Sequence, residues 1–161
     1  MAATRDHLDR PVVAVTGIGI VTSLGVGKRD NWEALTAGRS GIHRISRFPV
    51  DHLATTIAGT VDFLPSSSRG ATALTFELAE LAALEAVEQA GLSAQSFAGP
   101  LFLASPPVEI DWHDRIALYA KGEGESGWRR LLDSARRHAA QEVFETGQFG
   151  YIADRLADRL G

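Results

Sequence analysis

Val12-Val13-Ala14-Val15-Thr16-Gly17-Ile18-Gly19-Ile20-Val21-Thr22-Ser23-Leu24-Gly25 is the stretch whose reading decides the fold. It begins directly after Pro11 as a continuous β-branched run, and continuous rather than alternating apolar character predicts a strand buried on both faces. Such a strand belongs at the centre of a sheet. Gly17 and Gly19 mark places where backbone turns sharply or another backbone approaches, because glycine has no Cβ to obstruct either. Two phosphate-binding patterns fail here. A dinucleotide fingerprint needs a third glycine at position 22, where the chain has Thr22. A P-loop needs a glycine at that same position and a hydroxyl after Lys28, where the chain has Arg29.

Working outward, 161 residues with 45% hydrophobic and 22% charged content predict one soluble domain with a single core. A net charge of -4, with both signs interspersed, indicates neither nucleic acid nor an anionic membrane as a partner. The chain has no cysteine, which excludes a disulfide, a thiolate metal site and a thiol nucleophile. Residues 1–10 read as a polar tail, residues 11–161 as the domain, and no apolar run approaches the ~18 residues of a membrane span. Cytoplasmic location is the expectation.

After the first strand, Asn31 to Ala37 reads as a short helix capped by Asp30 and ended by Gly38, with Trp32 and Leu35 on its buried face. Thr55 to Phe63 reads as a second strand. A long helix follows from Ala71 to Ala90 with Gly91 as its stop, apolar around most of its circumference and with Glu77, Glu80 and Glu88 forming a solvated edge. The run Leu101-Phe102-Leu103-Ala104-Ser105, entered through Gly99-Pro100, reads as a third core strand. Helices are expected from about Asp114 to Ala120, from Trp128 to Phe144 with Ser126 as its cap, and from Gln148 to Leu160 with Ile152, Leu156 and Leu160 on one face.

The chemistry-bearing residues read as structural. Ser105 lacks the flanking glycines of a nucleophile elbow and is a turn serine. His43 and His52 lack ligand spacing and are surface residues. Asp111-Trp112-His113-Asp114 are adjacent residues that point in different directions, which does not suit one metal ion. His138 and Glu142, one helical turn apart, read as a surface ion pair. No cofactor or metal is expected.

Three motifs, in order, resemble the β-ketoacyl-acyl carrier protein synthases, the condensing enzymes of fatty-acid and polyketide synthesis. The first is Val15-Thr16-Gly17-Ile18-Gly19 followed by Thr22-Ser23-Leu24-Gly25, where leucine replaces the family's usual proline. The second, and most specific, is Trp32, Leu35, Gly38, Ser40, Gly41 and Ile42 at the family's spacing. The third is Ala58-Gly59-Thr60-Val61-Asp62-Phe63, one residue short before the phenylalanine.

The resemblance implies an α/β, thiolase-like fold, of which this chain is expected to supply part of one half: a mixed sheet of about three to four strands with packed helices. It implies the amino-terminal portion of a synthase, incomplete at Gly161, before the point where the family's catalytic cysteine and histidines begin. None of the five histidines therefore carries over, and no catalytic residue is expected in this segment. The implied reaction is a decarboxylative Claisen condensation. An acyl group passes from acyl carrier protein to cysteine, malonyl thioester loses carbon dioxide, and the resulting carbanion attacks the acyl thioester. Acyl carrier protein bearing acyl and malonyl thioesters is the implied partner, and the intact protein is expected to be a homodimer. In the relatives a glycine-rich turn near the acyl-binding region follows the third strand. Here those positions hold Ser105, Pro106, Pro107 and Val108, the expected substrate-near residues, with two prolines replacing flexible backbone. Two alternatives stand beside this reading: a non-catalytic partner subunit that sets chain length, and an independent α/β binding module.

Overall fold

The computed structural model describes residues 5–65, 70–93, 99–105, 111–122, 127–138 and 145–161. Its elements, in chain order, are β1 (Val21–Thr22), β2 (Gly25–Val26), α1 (Gly27–Thr36), β3 (His43–Arg44), β4 (Ile57–Ala58), α2 (Ala71–Gln89), α3 (Trp112–Lys121), α4 (Trp128–His138) and α5 (Tyr151–Leu160).

The strands form two antiparallel ladders of two strands each, β1 with β2 and β3 with β4. One mixed sheet of three to four strands is not seen among the described residues. Residues 12–20 belong to no ladder, and Val13 and Val15 are 88% and 78% exposed. The two-sided burial read from their β-branched run is absent among the described residues, because no strand lies along either edge and no second layer covers them. Residues 101–105 likewise join no ladder. Leu101 packs on the core, whereas Phe102 is exposed.

Helix ends follow their glycines. After α1, the Gly38 N–H reaches Leu35 O and the Arg39 N–H reaches Ala34 O, with Gly38 at φ +67°. After α2, Gly91 and Leu92 bond Glu88 O and Val87 O in the same way, with Gly91 at φ +70°. Both are Schellman closures, in which a left-handed residue lets the chain turn back onto the last carbonyls. The start of α1 differs from expectation: Val26 is at the cap and Asp30 lies inside the first turn, where its charge suits the helix dipole.

The core lies between α2 and α5. Ile152, Leu156 and Leu160 are almost fully buried, and Val87, Leu156 and Leu160 pack with Phe76, Ala79, Ala83, Leu84 and Leu101. Burial of such side chains contributes about 1.5–3 kcal/mol each. Arg155 lies over the Phe76 ring at 4.2 Å, and Arg159 Nε donates to Glu80 Oε1 at 2.5 Å. One glutamate of the expected solvated edge is thus tied to α5. On α1 the inward residues are Asn31 and Ala34, whereas Trp32 and Leu35 are exposed, which corrects the face assigned to that helix. The reason is what α1 meets: the tight β1–β2 turn accepts a small residue and a hydrogen-bonding amide, not an indole. Helices α3 and α4 pair with each other through Leu118 and Ser134, both buried, and Arg130 stacks 4.9 Å from the Tyr119 ring.

Candidate functional site

Glycine lets the segment through Gly17 and Gly19 lie directly on α2. A Cβ at Gly17 would overlap the Ala86 carbonyl, and one at Gly19 the Ala82 carbonyl. Alanine on the helix and glycine on the strand leave no side-chain layer between them, as the close-approach reading of both residues anticipates. With no strand alongside, α2 side chains supply acceptors for the segment. Gln89 Oε1 accepts the Ile18 N–H at 2.8 Å, and Glu85 Oε2 accepts the Ile20 N–H at 2.9 Å. Glu85 Oε1 also takes the Lys28 N–H at 2.9 Å, at the first turn of α1. Lys28 Nζ completes the knot, 3.1 Å from Glu85 Oε1 and donating to Ile18 O at 2.5 Å. Hydrogen bonds from the Lys28 and Ile20 amides hold the Glu85 carboxyl below its usual pKa, outweighing its partial burial.

The next turn is fixed from α1. The Thr22 hydroxyl bonds Asn31 Oδ1 and also accepts the Leu24 N–H at 3.0 Å. Asn31 Nδ2 donates to Gly25 O and Gly27 O at 3.0 and 2.8 Å. A buried amide costs free energy unless its donors and acceptor are used, and here all are. This places Ser23 at the tip, where the three motifs meet. A Cβ at Gly41 would overlap the Ser23 hydroxyl, and one at Gly59 would stand 3.2 Å from it and 3.4 Å from Ile42 Cδ1. Residues far apart in sequence are thus juxtaposed through a close approach at Gly41 and a snug one at Gly59.

Beside this junction lies a polar cluster. His43 Nε2 is 3.1 Å from Asp62 Oδ2 and 2.7 Å from Thr60 Oγ1. Thr60 and Ser46 donate to the same carboxylate oxygen at 2.8 and 3.2 Å. Burial raises the Asp62 pKa, but hydrogen bonds from Thr60, His43 and Ser46 prevail and hold it below its ordinary value. The geometry is not that of a nucleophile, base and acid in series, because Thr60 and Asp62 face the same ring nitrogen while Nδ1 faces Gly41 O at 3.2 Å. The cluster ties β3 to the segment after β4.

Ser105 is half-buried; Pro106, Pro107 and Val108 lie outside the described residues. Glu142, the expected partner of His138, and the Ser126 cap fall outside them as well. Asp111 proves to be a cap: its Oδ1 accepts the Ala71 N–H at 2.7 Å, at the start of α2. Among the described residues no group of three or more His, Asp or Glu side chains is placed to hold a metal ion. No helix among them is long and apolar enough to cross a membrane. Sequence reading missed a cavity of about 430 Å³ between α3 and α4, lined by Arg115, Ile116, Tyr119, Gly127, Trp128 and Leu131. Its signal was the i, i+3 spacing of Ile116 with Tyr119 and of Trp128 with Leu131.

Residues 10–104 match the model of the β-ketoacyl synthase N-terminal domain. The chain belongs to the β-ketoacyl synthase family, whose class is the α/β, thiolase-like fold. It is 42% identical over 60 residues to 3-oxoacyl-[acyl-carrier-protein] synthase 2 of Coxiella burnetii, covering 37% of this chain and 14% of that one. It is 37% identical over 92 residues to the tetracenomycin polyketide synthase ketoacyl synthase alpha subunit of Streptomyces glaucescens, covering 53% and 21%. With 3-oxoacyl-[acyl-carrier-protein] synthase 1 of Haemophilus influenzae it shares 33% identity over 84 residues, covering 49% and 21%. The matched stretches span about one-seventh to one-fifth of these relatives' length. No solved structure matches the chain.

Proposed function

We propose that this chain is the amino-terminal part of a β-ketoacyl-acyl carrier protein synthase of fatty-acid biosynthesis. The whole protein elongates an acyl thioester by decarboxylative Claisen condensation with malonyl-acyl carrier protein. The observation that carries this reading is the convergence of three family motifs at Ser23, inside the matched stretch. The segment's contribution is scaffolding: with no cysteine it has no thiolate to acylate, and alone it is inactive. Ser105, Pro106, Pro107 and Val108 border the acyl chain, acyl carrier protein is the donor of both thioesters, and the intact enzyme is a cytoplasmic homodimer. Residues 11–161 form the synthase unit and residues 1–10 its polar tail.

A chimera tests the reading. Residues 10–108 replace the matched stretch of the Haemophilus influenzae synthase, and acyl elongation from malonyl-acyl carrier protein is assayed. Retained elongation supports the function, with a Val108→Trp change in the chimera shortening the products. A chimera that melts cooperatively but forms no carbon–carbon bond overturns it.

A further inference from the structure

We infer that His43 is a pH-sensitive tie at the motif junction. With a hydrogen on both ring nitrogens it binds Gly41 to the segment after β4, and on losing one it draws the Thr60 hydroxyl away from Asp62. The inference rests on side chains between residues 41 and 62 alone and does not depend on the synthase reading.

Both ring nitrogens of His43 face oxygens that accept. Nδ1 lies 3.2 Å from Gly41 O, and a carbonyl oxygen has no hydrogen to give. Nε2 lies 3.1 Å from Asp62 Oδ2, and an ionised carboxylate has none either. The other neighbour of Nε2 is Thr60 Oγ1 at 2.7 Å, whose single hydrogen goes to Asp62 at 2.8 Å. Satisfying these contacts together takes two N–H groups, which is the imidazolium form. Burial raises the Asp62 pKa, yet the bonds from Thr60, His43 and Ser46 hold it below its ordinary value, so the carboxylate is charged wherever the ring titrates.

The same atoms hold a second arrangement. Once Nε2 gives its hydrogen to solvent, the Thr60 hydroxyl rotates and donates to that nitrogen, while Nδ1–H stays on Gly41 O. Asp62 Oδ2 then loses two donors, keeps Ser46 at 3.2 Å, and stands against a lone pair. The His43 side chain is 44% exposed, so the proton leaves without unfolding; that of Asp62 is 28% exposed, so water replaces the lost donors only in part.

Among the described residues Asp62 is the charged group set against the ring. Arg44, next along β3, lies on the other face, 3.9 Å from Asp51. Ser46 and Thr60 are uncharged, as are Ser23 and Leu24, which the Ser23 turn presents to Gly41. Through Gly41 the tie reaches that turn. It is whole while the ring holds both hydrogens and weakens as rising pH removes one.

NMR of the purified chain tests this, with ring 15N signals and amide protection followed together from about pH 5 to pH 8, the interval in which histidine changes charge. The Ile45 N–H, which bonds Thr56 O at 2.9 Å beside the β3–β4 ladder, reports the tie. Its protection factor is expected to fall by about threefold or more as the ring titrates, and the neutral ring to keep its hydrogen on Nδ1. In His43→Gln that fall is expected to vanish, while the ring signals of the unaltered chain need no variant to fold. Ile45 protection that ignores the titration, a neutral ring with its hydrogen on Nε2, or a fall that persists in His43→Gln overturns the inference.

Discussion

Glu85 on α2 accepts the backbone N–H of Ile20 at 2.9 Å, so a helix side chain stands where a neighbouring strand's carbonyl would be. Because its other oxygen takes the Lys28 N–H, one carboxylate satisfies two backbone donors on two elements. Glu85→Ala is expected to cost about 1–3 kcal/mol, as hydrogen bonds to a charged group do, and Glu85→Gln less, since an amide keeps one acceptor. Urea midpoints at neutral pH check both.

The pH dependence has a definite sign. Glu85 and Asp62 both have pKa values below their ordinary ones in the folded chain. Their stabilising contribution is present above the ordinary carboxylate pKa and is lost as pH falls through the lowered folded values. Urea midpoints measured from pH 7 to pH 3 are expected to decline, and to decline less in Asp62→Asn and Glu85→Gln than in the unaltered chain.

Four glycines separate two physical effects. Gly17→Ala and Gly19→Ala push a methyl into a backbone carbonyl that cannot yield, and each is expected to destabilise by about 2–3 kcal/mol or more. Gly38→Ala and Gly91→Ala meet no neighbour and cost only the left-handed backbone, about 1 kcal/mol. Thermal melts of the four variants check the order.

Leu156→Ala is expected to cost about 2–5 kcal/mol, because Leu156 is buried in the α2–α5 core. Trp32→Ala is expected to change stability by about 0.5 kcal/mol or less, since the residue is 68% exposed. Denaturant titration of the pair shows whether a motif residue can be dispensable for this chain's own fold.

What could be read without the structure was what local chemistry determines. The stops at Gly38 and Gly91 follow from the backbone freedom of one residue, and Ile152, Leu156 and Leu160 from a four-residue period. What failed depended on distant neighbours. Val12 to Val15 carry the composition of a central strand, but no element of the described chain lies beside them. Trp32 and Leu35 share a face, yet α1 turns Asn31 and Ala34 toward the β1–β2 turn. Asp111 caps a helix that begins 40 residues before it, a distance no window reading spans. Of the candidate site, the motif residues were legible one by one. Their convergence at Ser23 was not, because it depends on three loops folding together.

The strand-on-helix junction also dictates an order of events. Glu85 and Ile20 are 65 residues apart, so their bond closes a long loop and carries the entropy of that closure. Gln89 and Glu85 meet Ile18 and Ile20 in register only once α2 is wound, since four residues along a helix and two along a strand both advance about 6–7 Å. A local helix forms within about a microsecond, far ahead of contacts this remote along the chain. The glycine segment is therefore expected to dock after α2 has wound, so that the junction closes late in folding; φ-values near zero at Gly17 and Gly19 and higher ones within α2 would check this.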